Sequence, residues 1–257
     1  MWVVLRCHAV LIAGRVCCAI TLASLGLVAA SGRGSQPGRR RPALENGVIW
    51  SVPTTAPDIA ITFDDGPDPT YTPMVLSMLH KHRAVATFFV LGRQAQVYPE
   101  LVKQEVAQGS EVCSHGWSHA KLRRMTVAAV QAEVRRTATL LQQLGAKCRL
   151  FRFPYFMSDA AARAAVTALG YRLVGANLDT RDWYRRPAAI MARDVLDRAH
   201  AGDIILLHDG GGPRSGSVEA LRLILEGLPR LGLHPVTMSQ LLAEAARERR
   251  GAFPLIL

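Results

Sequence analysis

Five short groups of residues in this sequence carry side chains that could do chemistry together. In chain order they are Asp64-Asp65, His115 with His119, Arg152-Phe153-Pro154-Tyr155, Asp182-Trp183 and Leu206-Leu207-His208. Adjacent carboxylates repel each other, so a cation is expected close to Asp64 and Asp65. Taken singly, each group also fits a structural interpretation, such as a turn, an ion pair, rim packing or a buried histidine. Because all five follow apolar runs, together they argue for one shared site.

The two histidines indicate a metal site. His115 and His119 are four positions apart, so they can share one face of a helical turn and bind one ion. With one carboxylate of the Asp pair they make a two-histidine, one-carboxylate set that leaves positions open for water. Such a set is suited to hydrolysis by Zn²⁺ and equally to non-haem Fe²⁺. The residues alone therefore predict a metal and leave its identity open.

The elements that must position these residues alternate along the chain from about residue 58. Short apolar runs predict strands at residues 59–63, 86–91, 111–114, 150–153, 172–176, 203–207 and 234–237. Helical patterns fall at residues 72–82, 99–108, 127–144, 159–169, 188–201, 218–231 and 238–250. Such repeats predict an α/β fold with a closed or nearly closed parallel barrel, and an open doubly wound sheet is the alternative. In a parallel barrel the active site lies at the carboxyl ends of the strands, where the polar groups fall.

The five groups, in this order, resemble the motifs of the polysaccharide deacetylases, carbohydrate esterase family 4, also called the NodB homology domain. The first group reads in full Thr62-Phe63-Asp64-Asp65-Gly66-Pro67, and the resemblance extends over about residues 45–245. It implies a deformed (β/α) barrel of seven or eight mostly parallel strands. It also implies a divalent metal, Zn²⁺ first and Co²⁺ second, and removal of N-acetyl groups from amino-sugar polymers such as peptidoglycan or chitin-like oligomers.

The resemblance assigns the metal site and the general base. Asp65, His115 and His119 are expected to hold the metal, which lowers the pKa of a bound water. Asp64 is expected to take the proton of that water, since it reaches the same site without being a ligand. Arg152 is expected to pair with Asp64 and keep it ionised and oriented.

The remaining motif residues are assigned to the oxyanion, the leaving group and the substrate pocket. The backbone N–H of Tyr155 is expected to stabilise the tetrahedral oxyanion. His208 is the expected general acid that protonates the leaving amine, and Asp182 is expected to orient it and hold it charged. Trp183 and Leu206 are expected to wall the pocket for the acetyl methyl group.

The sequence departs from the family pattern at two positions. Gly116 stands where Ser or Thr usually follows the first histidine, which removes a hydroxyl that could brace the loop; Ser118 is a nearby substitute. Phe156 stands where Gly is common, and a bulky residue there narrows the cleft and favours a different or smaller substrate. Hydrolysis of formyl amides, cyclic imides or O-acetyl esters therefore stays open as an alternative. A catalytically dead carbohydrate-binding protein would have lost a ligand, the base or the acid, and all of these are present.

Composition excludes some other classes. The chain has 257 residues, 49% of them hydrophobic, which excludes a wholly disordered protein. Its net charge of +11 at first suggests a nucleic-acid or anionic-surface partner. Residues 1–44 hold six basic residues and no acid, whereas the remainder holds 25 basic and 20 acidic residues. Since the excess lies at the N-terminus without interleaved aromatics, nucleic-acid binding is not predicted.

The N-terminus predicts export. Residues 1–30 are interpreted as a signal peptide or N-terminal anchor, residues 31–44 as a Gly/Ser/Arg/Pro linker and residues 45–250 as the catalytic domain. The apolar run of residues 16–30 is shorter than the ~20 residues that span a bilayer, and it ends in small residues as a cleavage site does. We expect a secreted or cell-envelope protein, with membrane association through an uncleaved N-terminus as the alternative. The sequence indicates no oligomeric state.

Two cysteines lie in the predicted catalytic domain, Cys113 and Cys148. In an oxidising compartment such a pair could form a disulfide. Two buried, reduced cysteines acting as small hydrophobic residues are an equally good interpretation.

Overall fold

The computed structural model describes residues 43–251, which form a single mostly parallel sheet with helices packed against it. The predicted leader and most of the predicted linker lie outside the described residues. The strands are β1 (Leu44–Glu45), β2 (Val48–Ile49), β3 (Asp58–Asp64), β4 (Thr87–Val90), β5 (Glu111–Ser114), β6 (Leu150–Phe151), β7 (Arg172–Val174), β8 (Leu178–Asp179), β9 (Ile204–His208) and β10 (His234–Val236).

The strand order identifies the architecture. Along the sheet the order is β1-β2-β7-β6-β5-β4-β3-β9-β8, and β10 pairs with the first residues of β3. Among the strands of residues 43–251, only β1 and β2 pair antiparallel. From β3 to β7 successive strands are neighbours, so the chain winds in one direction, whereas a doubly wound sheet reverses its order at a switch point. The predicted deformed (β/α) barrel is therefore confirmed, as a curled half-barrel.

The helices lie between the strands much as the sequence predicts. They are α1 (Tyr71–Lys81), α2 (Gly92–Val97), α3 (Pro99–Ala107), α4 (Val127–Gln143), α5 (Ala160–Thr167), α6 (Ala188–Leu196), α7 (Ser215–Gly227) and α8 (Met238–Gly251). Side-chain caps begin two of them, because Thr126 accepts from the amide of Ala129 and Asp159 from that of Ala162. Within the described part of the chain, no helix is long and apolar enough to cross a membrane.

Sequence analysis overlooked the shortest elements. It predicted seven of the strands but not β1, β2 or β8, each of two residues. It also overlooked the six-residue helix α2. It predicted that α6 ends about one turn further along the chain than the structure shows. Elements this short offer too few residues for a clear hydrophobic pattern, so pairing and packing in the fold define them.

Alternation along β3 directs Asp64, the predicted base, to the face of the strand opposite Ile59, Ile61 and Phe63. Ile59, Ile61 and Phe63 pack in the core beneath α1 and α7. The residues of opposite phase, which include Ala60 and Asp64, therefore project to the other face of the strand. Ala60 belongs there to a second apolar cluster with Phe89 and Leu206. Thus the pleat that buries the apolar residues also directs Asp64 toward the interior.

Cys113 and Cys148 form a disulfide, which decides between the two interpretations of this pair. Cys113 lies in β5, one residue before its end, and Cys148 lies two residues before β6 begins. These strands lead directly into His115 and Arg152. The covalent link therefore joins the two segments that deliver a predicted metal ligand and the predicted partner of the base.

We predict that replacing both cysteines with alanine lowers the free energy of unfolding by about 2–4 kcal/mol. The reason is that the crosslink closes a loop of 35 residues and so restricts the unfolded chain. For a protein of this size the melting temperature should fall by roughly 4–16 °C.

Thermal melts of the oxidised protein and of the Cys113→Ala/Cys148→Ala variant test this prediction. Reduced wild type is the matched control, because it keeps both side chains and should melt close to the variant. The prediction is wrong if reductant leaves the melting temperature of the wild type unchanged.

Candidate active site

The predicted metal ligands meet at the carboxyl ends of β3 and β5. Asp65 follows β3, and His115 and His119 lie in the loop after β5. The Nε2 atom of His119 lies 3.1 Å from Oδ1 of Asp65, and that of His115 lies 3.6 Å from the same oxygen. One ligand atom from each residue lies within 4.8 Å of the others. Ligand atoms around a tetrahedral Zn²⁺ are separated by about 3.3 Å, so the spacing suits such an ion.

Two further features fit these residues to a cation. Nδ1 of His115 lies 2.8 Å from the carbonyl oxygen of Arg152, so this nitrogen carries the proton and Nε2 keeps a free lone pair. Burial lowers the pKa of His115 to about 3, which keeps the imidazole neutral as metal binding requires. Oδ1 of Asp65 is buried and accepts no hydrogen bond from the described residues. Such an oxygen, facing two imidazole nitrogens, fits a divalent cation.

Asp64 is paired with the buried guanidinium of Arg152. Nη1 of Arg152 donates to Oδ1 of Asp64 at 2.7 Å, and Arg152 is fully buried. Burial raises the pKa of Asp64, while the charge and hydrogen bond of Arg152 oppose that rise. The second oxygen, Oδ2, lies 3.7 Å from Nε2 of His115. Oδ1 of the Asp64 carboxylate therefore binds Arg152, and Oδ2 faces the residues of the predicted metal site.

His208 is held by Asp182 at the end of β9. Its Nδ1 lies 2.7 Å from Oδ1 of Asp182, and its backbone amide donates to Oδ2 of the same carboxylate at 2.8 Å. Burial lowers the pKa of His208, but the hydrogen bond and the charge of Asp182 outweigh it and raise the pKa to about 9. This imidazole is therefore protonated at neutral pH, unlike that of His115.

A cavity of about 370 Å³ joins these groups. Its walls include Trp183, which is half exposed, and the buried Leu206. Tyr155 lines it from a 3₁₀ turn in which its φ is +59°. Phe156 lines it too and packs edge-on against Trp50 at 5.3 Å, so its bulk lies beside the cleft as expected.

All ten predicted site residues thus lie in or directly behind one cavity, and the structure adds supporting residues that sequence analysis missed. Ser217, in α7, donates to Oδ2 of Asp182 at 2.6 Å. Thr62 accepts from Nη1 of Arg152 at 2.8 Å. Arg214, nearly buried, lines the cavity and donates to the carbonyl of Gly210. Only Thr62 carried a usable signal, because it has the same phase as Asp64 in β3.

We predict that the metal-free protein loses stability as pH rises from 6.5 to about 9, and that His208 causes much of the loss. A histidine whose pKa is about 9 when folded and near 6.5 when unfolded stabilises the fold fully below pH 6.5. That contribution, up to about 3 kcal/mol, disappears as pH passes through 9.

Urea unfolding at several pH values, with wild type and His208→Gln compared, measures this effect. The variant should show a flatter dependence of the unfolding free energy on pH. His80→Gln, at an exposed position of α1, should follow the wild type. Parallel curves of unfolding free energy against pH for wild type and His208→Gln would show that His208 does not cause the loss of stability.

Comparison with known proteins identifies the family. The family model for polysaccharide deacetylase matches residues 51–174. A peptidoglycan-N-acetylglucosamine deacetylase of Bacillus cereus is 39% identical over 198 residues, 76% of this chain and 92% of that protein. A chitooligosaccharide deacetylase of Azorhizobium caulinodans is 33% identical over 187 residues, 68% of this chain and 89% of that protein.

The fold agrees with a solved structure. The peptidoglycan deacetylase PdaC of Bacillus subtilis superposes with a TM-score of 0.69 at 33% identity, covering 76% of this chain and 93% of that one. The match therefore extends over nearly the whole length of the two deacetylases matched in sequence and of PdaC. The chain belongs to the polysaccharide deacetylase family.

Proposed function

We propose that this protein is a metal-dependent hydrolase that removes N-acetyl groups from amino-sugar polymers or oligomers of the peptidoglycan or chitin type. One observation carries the proposal: a base candidate, a metal-ligand set and a protonated histidine face the same cavity. Asp64, Asp65, His115, His119 and His208 all line it. The relatives that act on peptidoglycan and on chitooligosaccharides support an N-acetylated glycan as the substrate.

Asp65, His115 and His119 would hold the metal, and we propose Zn²⁺. A divalent ion at this place would polarise the acetyl carbonyl and acidify a water. The two imidazole nitrogens and one carboxylate oxygen are donors that Zn²⁺ accepts in catalytic sites, with Co²⁺ as the second candidate. Asp65 supplies the negative charge and His115, being neutral, supplies a lone pair.

Asp64 would act as the general base. As water attacks the acetyl carbon, its proton passes to Oδ2 of Asp64, the oxygen not bonded to Arg152. The raised pKa of this buried carboxyl makes it a stronger base than a free aspartate, while Arg152 keeps it available in the ionised form. The backbone amide of Tyr155, which donates no hydrogen bond within the described residues, is free to stabilise the oxyanion.

His208 would act as the general acid. When the carbon–nitrogen bond breaks, the imidazolium gives its Nε2 proton to the departing amine, and acetate and a free amino sugar result. The proton is present at neutral pH because Asp182 raises the pKa of His208 to about 9. Asp182 also fixes the ring, since it binds both Nδ1 and the backbone amide of the histidine. Trp183 and Leu206 would contact the acetyl methyl group.

We propose an exported protein, secreted or retained at the cell envelope. The basic, apolar character of residues 1–30 supports this. The disulfide between Cys113 and Cys148 supports it too, because such bonds persist in oxidising compartments.

Acetate release from a panel of substrates tests the proposed activity. Chitin oligomers, peptidoglycan, acetylxylan and small formamides are incubated with the protein after addition of Zn²⁺ or Co²⁺. We expect turnover of at least one N-acetylated glycan and none without metal. Activity confined to formamides would transfer the proposal to other carbon–nitrogen bonds, the reaction that the bulk of Phe156 would favour.

We predict that Asp64→Asn lowers kcat by roughly 10²–10⁴-fold or more, because the amide cannot take the proton of water. The variant should still bind Co²⁺, since Asp64 is not among the expected ligands. Asp58→Asn, at the opposite end of the same strand, is the matched control and should retain activity. Full activity of Asp64→Asn would show that another group is the base.

A further inference from the structure

One carboxylate accepts hydrogen bonds from backbone amides of the loop that carries both histidines. Glu133, in α4, accepts the backbone N–H of Trp117 at 2.9 Å and that of Ser118 at 3.0 Å through the same oxygen, Oε2. Its other oxygen, Oε1, accepts the hydroxyl of Ser118 at 2.8 Å. Three hydrogen bonds therefore meet on Glu133, and Ser118 is the residue directly before His119.

The opposite side of the loop is held by α2. The carbonyl oxygen of Gly116 accepts from the amide of Gly92 at 2.9 Å, and that of Trp117 accepts from Arg93 at 3.0 Å. Amides at the start of a helix lack partners in the helix itself, so they suit this task. Carbonyl oxygens of the loop therefore accept hydrogen bonds from α2, and amides of the loop donate hydrogen bonds to Glu133 of α4.

The ring of Trp117 fixes the position of the loop between the same two helices. It lies against Gly92, where an added Cβ would come within 2.3 Å of the ring. The guanidinium of Arg136, three residues after Glu133 in α4, lies 3.6 Å from the ring centre. Side chains three apart on a helix project on one face, so α4 presents Glu133 and Arg136 to the loop together.

The loop needs such support because its own backbone is permissive or strained at two places. Gly116 has a φ of +85°, and glycine loses more conformational freedom than any other residue when it is fixed. His119 has a φ of +60°, a conformation that is unfavourable for a residue with a Cβ. Nδ1 of His115 is fixed by its bond to the carbonyl of Arg152, whereas the described contacts of the His119 ring are Asp65 beside its Nε2 and the rings of Tyr155 and His115.

We propose that Glu133 is a positioning residue for the metal site: it fixes the loop so that His119 is already in place to bind the ion. This inference rests on the proposed metal site and extends it to a residue outside the cavity. Groups that hold metal ligands in place typically contribute 10–100-fold to metal affinity. Ser118 supplies the loop's hydroxyl that Gly116 lacks, and Glu133 is what that hydroxyl binds.

Co²⁺ titration of the metal-free protein, followed by its visible absorption, measures the proposed effect. Glu133→Ala should weaken Co²⁺ binding by about 10–100-fold, and Ser118→Ala by a smaller factor, because it removes one of the three hydrogen bonds. Glu100→Ala, at an exposed position of α3, is the matched control and should bind as the wild type does. At saturating metal, kcat of Glu133→Ala should return to near the wild-type value.

A second comparison separates this inference from the metal site itself. Asp65→Ala should lose Co²⁺ binding; if it does not, the proposed metal site is wrong. If it does, and both Glu133→Ala and Ser118→Ala bind Co²⁺ with wild-type affinity, the positioning role is wrong. A fall in the melting temperature of the metal-free Glu133→Ala protein with no change in affinity would overturn it in favour of a purely structural role.

Glu133→Gln decides the matter if the alanine variant does not fold. The amide keeps the length of the side chain and one accepting oxygen, so the fold should persist. It lacks the charge and the second acceptor, so Co²⁺ affinity should fall by about 3–10-fold. Unchanged affinity in this variant would likewise overturn the proposal.

Discussion

The buried guanidinium of Arg152 is the group on which the rest of the site depends. It donates to Thr62 and Asp64 of β3 through Nη1 and to the carbonyl of Gly175, beyond β7, through Nη2. Its backbone carbonyl oxygen accepts a hydrogen bond from Nδ1 of His115. A fully buried cation is tolerable only where charge and hydrogen bonds compensate its desolvation. Asp64 supplies that charge, so the ion pair that contains the proposed base also joins three parts of the sheet.

Two imidazoles in one cavity acquire opposite protonation because their Nδ1 partners differ. Burial lowers the pKa of His115 to about 3, and the charge of Asp65 and the hydrogen bond to the carbonyl of Arg152 oppose this fall only in part. His208 faces the carboxylate of Asp182, which more than offsets burial and raises the pKa to about 9. A ligand must offer a lone pair and an acid must offer a proton. The choice between carbonyl and carboxylate behind each ring therefore separates the two roles within a single cavity.

The parts of the site that follow a strand could be predicted from the sequence, and those supplied by helices could not. Strand periodicity places Asp64 and His208 at strand ends, and parallel strands bring such ends together. Glu133 and Ser217 lie on helical faces among other polar residues, and nothing in their spacing shows which loop or carboxylate they meet. The disulfide was likewise undecided, since a sequence separation of 35 says nothing about distance in space. For Glu133 and Ser217 the sequence does not show how the helix packs on the sheet, and for the cysteines it does not show that β5 and β6 are neighbours.

Four residues of the candidate site have backbone conformations that are unfavourable for residues with a Cβ. Asp65, His119, Tyr155 and Phe156 all have positive φ, between +53° and +74°, although none is glycine. Each such residue costs about 1–2 kcal/mol, which the surrounding packing must offset. For Phe156 the offset is visible, because its ring packs against Trp50, which belongs to a third apolar cluster, and against the second cluster, which contains Ala60. Burying most of such a ring contributes roughly 1–2 kcal/mol. A glycine would relieve the strain and lose that packing, so the two effects nearly cancel. The bulk of Phe156 beside the cleft therefore has little net cost to the stability of the fold.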